Sequence, residues 1–174
     1  MTPFTFMKYI VLFPLTLLMN ILSILLSPLL ALISMILGVN VLPGFLAWFH
    51  THDATLDGGQ IQQPQLYPSG VTGFKLWKQR TRWICRNPGY GFAANVCGIP
   101  YAGTIAQTSG TLEEGQYTTF YNLKYQKIGW GYRRNILYKN GSKYVKVWFG
   151  WRIPTNDKKT YMIKFMFNPF LTVQ

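Results

Sequence analysis

Residues 9–49 read YIVLFPLTLLMNILSILLSPLLALISMILGVNVLPGFLAWF, with no Asp, Glu, Lys or Arg anywhere in the run. A helix needs roughly 20 apolar residues to cross a hydrocarbon core of about 30 Å. A soluble core helix pair does not dispense with charge over such a length. A cleaved leader is shorter and ends in a small-x-small site that this run lacks. The run therefore reads as a membrane anchor, in one of two forms. Either one long or kinked helix ends near Val41, or a tight helical hairpin turns at Ser27-Pro28, where proline removes an amide proton; the hairpin is the favoured form. Trp48 and Phe49 suit the interfacial belt in both.

The rest of the chain differs in kind. The whole protein of 174 residues carries 17 Lys+Arg against 5 Asp+Glu, a formal charge of +12. Lys8 is the only one of these cations before Lys75. By the positive-inside tendency, Lys8 and the amino terminus place the N-terminal end in the cytoplasm. A hairpin then keeps the basic part there too, whereas one crossing exports it. Charged residues make up 13 % and aromatics 17 %, which excludes a disordered tail and a coiled coil.

Three regions follow: a hydrophobic anchor over 1–49, a Gly/Pro-rich loop with Asp53 and Asp57 over 50–73, and a basic α+β domain over 74–174. In the last, residues 74–86 are bounded by Asn87-Pro88-Gly89 and predict an amphipathic helix. Lys75, Lys78, Gln79, Arg82 and Arg86 share one side of it, and Phe74, Trp77, Thr81, Ile84 and Cys85 another. From Tyr117 the period becomes two. Asn140-Gly141 suits the positive φ angles of a hairpin turn. After it Val145, Val147, Phe149, Trp151 and Ile153 form one strand face, and Tyr144, Lys146, Trp148 and Arg152 the other. These strands predict an antiparallel meander of four to five members, its apolar face covered by segment 74–106. The fold class is α+β.

Candidate chemistry is sparse. Asp53, Thr55, Asp57 and Gly58 are spaced like the opening of a calcium loop, but Pro64 stands where the closing bidentate Glu belongs. The competing explanation is an Asx-type turn. Calcium is the one cofactor to weigh, at Asp53, Thr55 and Asp57. His50, His52 and Asp53 lack the spacing of a zinc site, and Cys85 and Cys97 lie too far along the chain to complete one by any standard pattern. Gly89-Tyr90-Gly91-Phe92 imitates a dinucleotide fingerprint without the preceding strand. With five acids and no nucleophile elbow or phosphate loop, the chain reads as a non-enzyme. Lys75, Lys78, Arg82, Arg86, Lys146, Trp148 and Arg152 instead suit anionic lipid, or a nucleic acid stacked on Trp148.

Leu42-Pro43-Gly44-Phe45-Leu46-Ala47-Trp48-Phe49, the Thr51-His52-Asp53 and Leu56-Asp57-Gly58-Gly59 pieces, and Trp83-Ile84-Cys85-Arg86-Asn87-Pro88-Gly89-Tyr90-Gly91-Phe92 resemble an uncharacterised family. So do Gly150-Trp151-Arg152 and Asn168-Pro169-Phe170. Its members are small membrane-anchored proteins of tailed phages and prophages; His52 and Thr55 depart from its more acidic loop. The resemblance implies a viral origin and a host bacterial inner membrane, and it transfers no activity. The expectation is a non-enzymatic phage membrane protein with an exclusion or lysis-associated role. Its alternative is a virion component inserted during genome delivery, with nucleic-acid contact by the basic sheet face.

Overall fold

A computed structural model describes residues 3–51 and 55–172. The fold is α+β: a long apolar helix, three short helices with a 3₁₀ turn, and a six-stranded antiparallel sheet. The chain forms two compact units, Leu15–Val96 and a second made of Met1–Pro14 with Cys97–Gln174.

Helix α1, Pro3–Ile36, contributes to both units and runs unbroken through Pro14 and Pro28. The hairpin expected at Ser27-Pro28 does not form. Pro28 lacks the N–H that would bond the carbonyl of Ile24 one turn back. Ser27 Oγ donates to that same carbonyl at 2.7 Å, so the missing bond is replaced locally. The helix ends where Gly38 takes a φ of +65°, with Val39 N–H donating to the Ser34 carbonyl.

In the unit of residues 15–96, α1 is joined by the 3₁₀ turn Gly44–Phe49, α2 (Gly58–Gln62), α3 (Gly73–Arg86) and α4 (Tyr90–Asn95). Its core is Leu30, Leu42, Phe49, Leu56 and Ile84. Helix α3 ends at the predicted Asn87-Pro88-Gly89, and α2 interrupts what reads in sequence as loop.

In the second unit the strands are β1 (Ile99–Pro100), β2 (Ile105–Ser109), β3 (Gln116–Tyr121), β4 (Lys127–Tyr138), β5 (Lys143–Pro154) and β6 (Thr160–Thr172). Strands β2 to β6 form the meander, and β1 closes onto β6. The β4–β5 hairpin turns at Asn140 and Gly141, with φ of +54° and +81°, as the sequence predicts. The aromatic face takes its cover from the start of α1: Tyr9 packs edge-on against Trp151 and Phe13 against Phe165. Of segment 74–106, expected to cover the sheet, residues 74–96 group with the other unit and residues 97–106 with the sheet. The even alternation expected along β5 also fails. A bulge between Gly150 and Ile153, with Arg152 at φ +53°, turns Ile153 into the cluster of Phe120, Ile128 and Tyr161.

Candidate functional site

Within the unit of residues 15–96, α1 has its polarity reversed. Thr16, Asn20, Ser23, Ser27 and Ser34 are all buried, at steps of four, three, four and seven residues along one face. Ser23 Oγ and Ser34 Oγ donate back to the carbonyls of Met19 and Ala31 at 2.7 and 2.6 Å, so these hydroxyls are satisfied within the helix. The opposite face is aliphatic and open: Leu18 is 50 % exposed, Leu25 69 % and Ile36 74 %. A helix of a water-soluble domain buries the second set and exposes the first.

Helix α3 packs along the covered face. Trp77 Nε1 donates to the Pro28 carbonyl at 2.8 Å. Cys85 Sγ lies 3.1 Å from Ser27 Oγ, and since the single serine proton goes to Ile24, the thiol is the donor. Neither Cys85 nor Cys97 is in a disulfide. The predicted basic stripe is real: Lys75, Lys78 and Arg82 are exposed, and Arg86 lies half-buried with its guanidinium 5.7 Å from the Trp83 ring centroid. Phe74 stacks on Trp77 with centroids 5.2 Å apart, and remains 72 % exposed.

Arg80 is the residue that the sequence reading passes over. Its Nε and Nη2 donate to Asp57 Oδ1 and Oδ2 at 3.0 and 2.9 Å, a bidentate pair. Its Nη1 donates to Ser34 Oγ at 3.0 Å and to the Val39 carbonyl at 2.8 Å, just past the negative end of α1. One guanidinium thus ties α3, the Asp57 loop and the end of α1 together. The available signal was position: Arg80 stands three and four residues before Trp83 and Ile84, on the apolar side of α3. Of the calcium candidates, Asp57 gives both oxygens to Arg80, Thr55 is half-buried, and Asp53 lies outside the described residues, as does His52. Among the described residues no three His, Cys, Asp or Glu gather as metal ligands.

His50 is 2 % exposed. Its Nδ1 lies 2.7 Å from the Thr51 carbonyl and must donate to it, while Nε2 accepts from Leu42 N–H at 3.3 Å. Both nitrogens are committed to the neutral ring, and burial holds the pKa below the usual histidine value. The glycine motif that imitates a fingerprint has a packing role. Gly89 and Gly91 donate their N–H groups to the carbonyls of Phe49 and His50 at 3.1 and 2.8 Å. A Cβ on Gly91 would collide with the Ala47 carbonyl. The segments around Phe49-His50 and Gly89-Gly91 therefore pack on one another.

On the sheet, Trp148 gathers three cations. Arg133 Cζ, Lys146 Nζ and Lys164 Nζ lie 5.6, 5.2 and 4.7 Å from its ring centroid. Arg133 faces Trp148 directly across β4–β5, and a small cavity of about 110 Å³ lined by Arg133, Trp148, Gln116 and Thr118 adjoins them. Lys164 is buried, which β6 alternation alone does not reveal. Arg152, expected beside Lys146 and Trp148, instead places its guanidinium 4.8 Å from the Tyr161 ring centroid. Beneath Tyr9 and Phe13, the other face forms an apolar groove of about 380 Å³ lined by Trp130, Phe149, Trp151 and Phe165.

The chain's residues 1–174 match the family model described as Family of unknown function (DUF7338). No curated protein and no solved structure matches.

Proposed function

The chain belongs to the DUF7338 family, and for this member we propose a non-enzymatic, membrane-bound protein of phage or prophage origin that works at the host inner membrane. Its role there is exclusion of a competing phage or assistance of lysis. One observation supports the membrane assignment above all others: α1 leaves a strip of leucines and isoleucines open, among them Leu18, Leu25, Leu29, Leu32 and Ile36, while it covers Thr16, Asn20, Ser23, Ser27 and Ser34. Met7–Ile36 is also long and apolar enough to cross a bilayer. An exposed aliphatic strip of that length fits acyl chains and is a poor surface to present to water.

The test is fractionation of a bacterial host that expresses the chain. The protein stays with membranes through alkaline carbonate and high salt; release by carbonate overturns the assignment. Induction then either accelerates lysis or lowers plaque formation by a second phage. If neither changes, the exclusion or lysis role fails while the membrane assignment stands. The Trp148 cluster favours a second reading, a virion component whose sheet contacts nucleic acid. Recovery of the protein in purified particles, together with salt-sensitive binding of single-stranded DNA that Trp148→Leu weakens, would select it.

A further inference from the structure

We infer that in the unit of residues 15–96 helix α1 lies in the plane of the membrane, its aliphatic face in one leaflet, and that α3 meets anionic lipid headgroups beside it. This rests on the membrane assignment above and specifies how the membrane is engaged.

The alternative is a crossing, and α3 argues against it. Tyr9 and Phe13 are committed to the sheet, so the length left for a crossing is Leu15 to Ile36, about 33 Å at 1.5 Å per residue, and a crossing uses nearly all of it. Yet α3 is fastened to that length by side chains: Arg80 to Ser34, Trp77 to Pro28 and Cys85 to Ser27, and Gly89 follows beside Asn20. Ser27 sits close to the middle of the Leu15–Ile36 span. A crossing therefore carries Arg86, next to Cys85, to the centre of the hydrocarbon, and Arg82, one turn away, not far from it. Lys75, Lys78 and Arg82 are exposed, and α3 contains no acid to neutralise them. Charges at that depth are strongly disfavoured, and arginine near the midplane has no interface within reach.

Lying in the plane removes the conflict. Leu18, Leu25, Leu29 and Leu32 then enter the acyl region together, as the apolar face of an interfacial helix does. Packed helices stand about 8–10 Å apart, which puts α3 at headgroup depth, where its cations find phosphate. The Phe74–Trp77 stack fits the same level. Its indole N–H holds the Pro28 carbonyl, on a residue that borders the aliphatic face, and interfacial aromatics take such positions.

The test reads depth along the helix. Single spin labels at Leu18, Leu25 and Leu32, in a full-length chain carrying Cys85→Ser and Cys97→Ala, are reconstituted in vesicles of phosphatidylcholine with one third phosphatidylglycerol. Collision with oxygen and with a water-soluble nickel chelate gives the depth of each label. In-plane seating gives three equal depths in one leaflet. A crossing gives a maximum at Leu25, with the flanking labels each about 10 Å further along the bilayer normal; that overturns the inference and leaves the membrane assignment intact. Labels open to the nickel chelate at all three sites overturn both. The unaltered chain, synthesised without cells, supplies a second measurement in co-flotation. It prefers the anionic vesicles over pure phosphatidylcholine, and Lys75→Gln, Lys78→Gln and Arg82→Gln together reduce that preference by up to about a hundredfold. An unchanged preference overturns the headgroup assignment.

Discussion

Replacing Arg80 by Met removes the single side chain that holds three segments together. Its volume is nearly kept, so the loss is electrostatic. The variant leaves the Asp57 carboxylate without its two guanidinium donors and the Val39 carbonyl without one. Breaking a buried ion pair from one side costs about 3–5 kcal/mol. Arg80's side chain is 8 % exposed, but that of Asp57 is 22 % exposed, and water there offsets part of the lost pairing. The lower end, about 3 kcal/mol, is therefore expected. In a chain of this length about 1 kcal/mol moves the Tm by 2–4 °C, so the shift is a fall of about 6–12 °C. Thermal unfolding in detergent micelles, followed by circular dichroism and tryptophan fluorescence, measures it. Arg80→Lys keeps the charge without the fork and should lose roughly half as much. Arg80→Met with Asp57→Leu removes both charges and should recover most of the loss. A Tm for Arg80→Met within about 2 °C of the parent, or a double variant no better than the single, would refute the reasoning.

Two further outcomes are specific. Gly91→Ala meets the Ala47 carbonyl and should cost about 1–3 kcal/mol by overpacking, seen as a lower Tm with unchanged helix content. His50 is buried neutral with a depressed pKa, so the folded state binds fewer protons than the unfolded one just below the ordinary value of about 6.5. Its contribution to stability is complete above that pH and declines as the pH falls from there toward the folded-state pKa. The Tm should drop between pH 7 and pH 5, and His50→Gln, though less stable at pH 7.5, should show a flatter dependence.

The parts of the fold readable from sequence are those governed by local rules. An uncharged run names an apolar helix, Asn140-Gly141 names a hairpin, and alternation from Tyr117 names strands. What escaped depends on groups distant in sequence or on a single irregular residue. Pro28 reads as a break until Ser27 is seen to satisfy the carbonyl that the proline orphans. Arg80 reads as one more basic residue, because its partners Asp57, Ser34 and Val39 come from other segments. The β5 alternation holds up to the bulge, and that one extra residue turns Ile153 to the opposite side. Likewise Arg133 and Lys164 reach Trp148 only through strand pairing, whereas Lys146, two residues away on the same strand, was legible.

The covered stripe on α1 also sets an order of events. Translation delivers α1 before the residues that shield Thr16, Asn20, Ser23, Ser27 and Ser34 exist, for α3 is made some forty residues after Ser34. During that interval the nascent helix has no protein against its hydroxyl face. Back-bonding of Ser23, Ser27 and Ser34 to their own helix lets it wait without leaving those groups unsatisfied. Asn20 lies beside Gly89, near the end of the unit. Maturation on the ribosome thus finishes, for this helix, only when the chain reaches the Asn87-Pro88-Gly89 turn that stands beside Asn20.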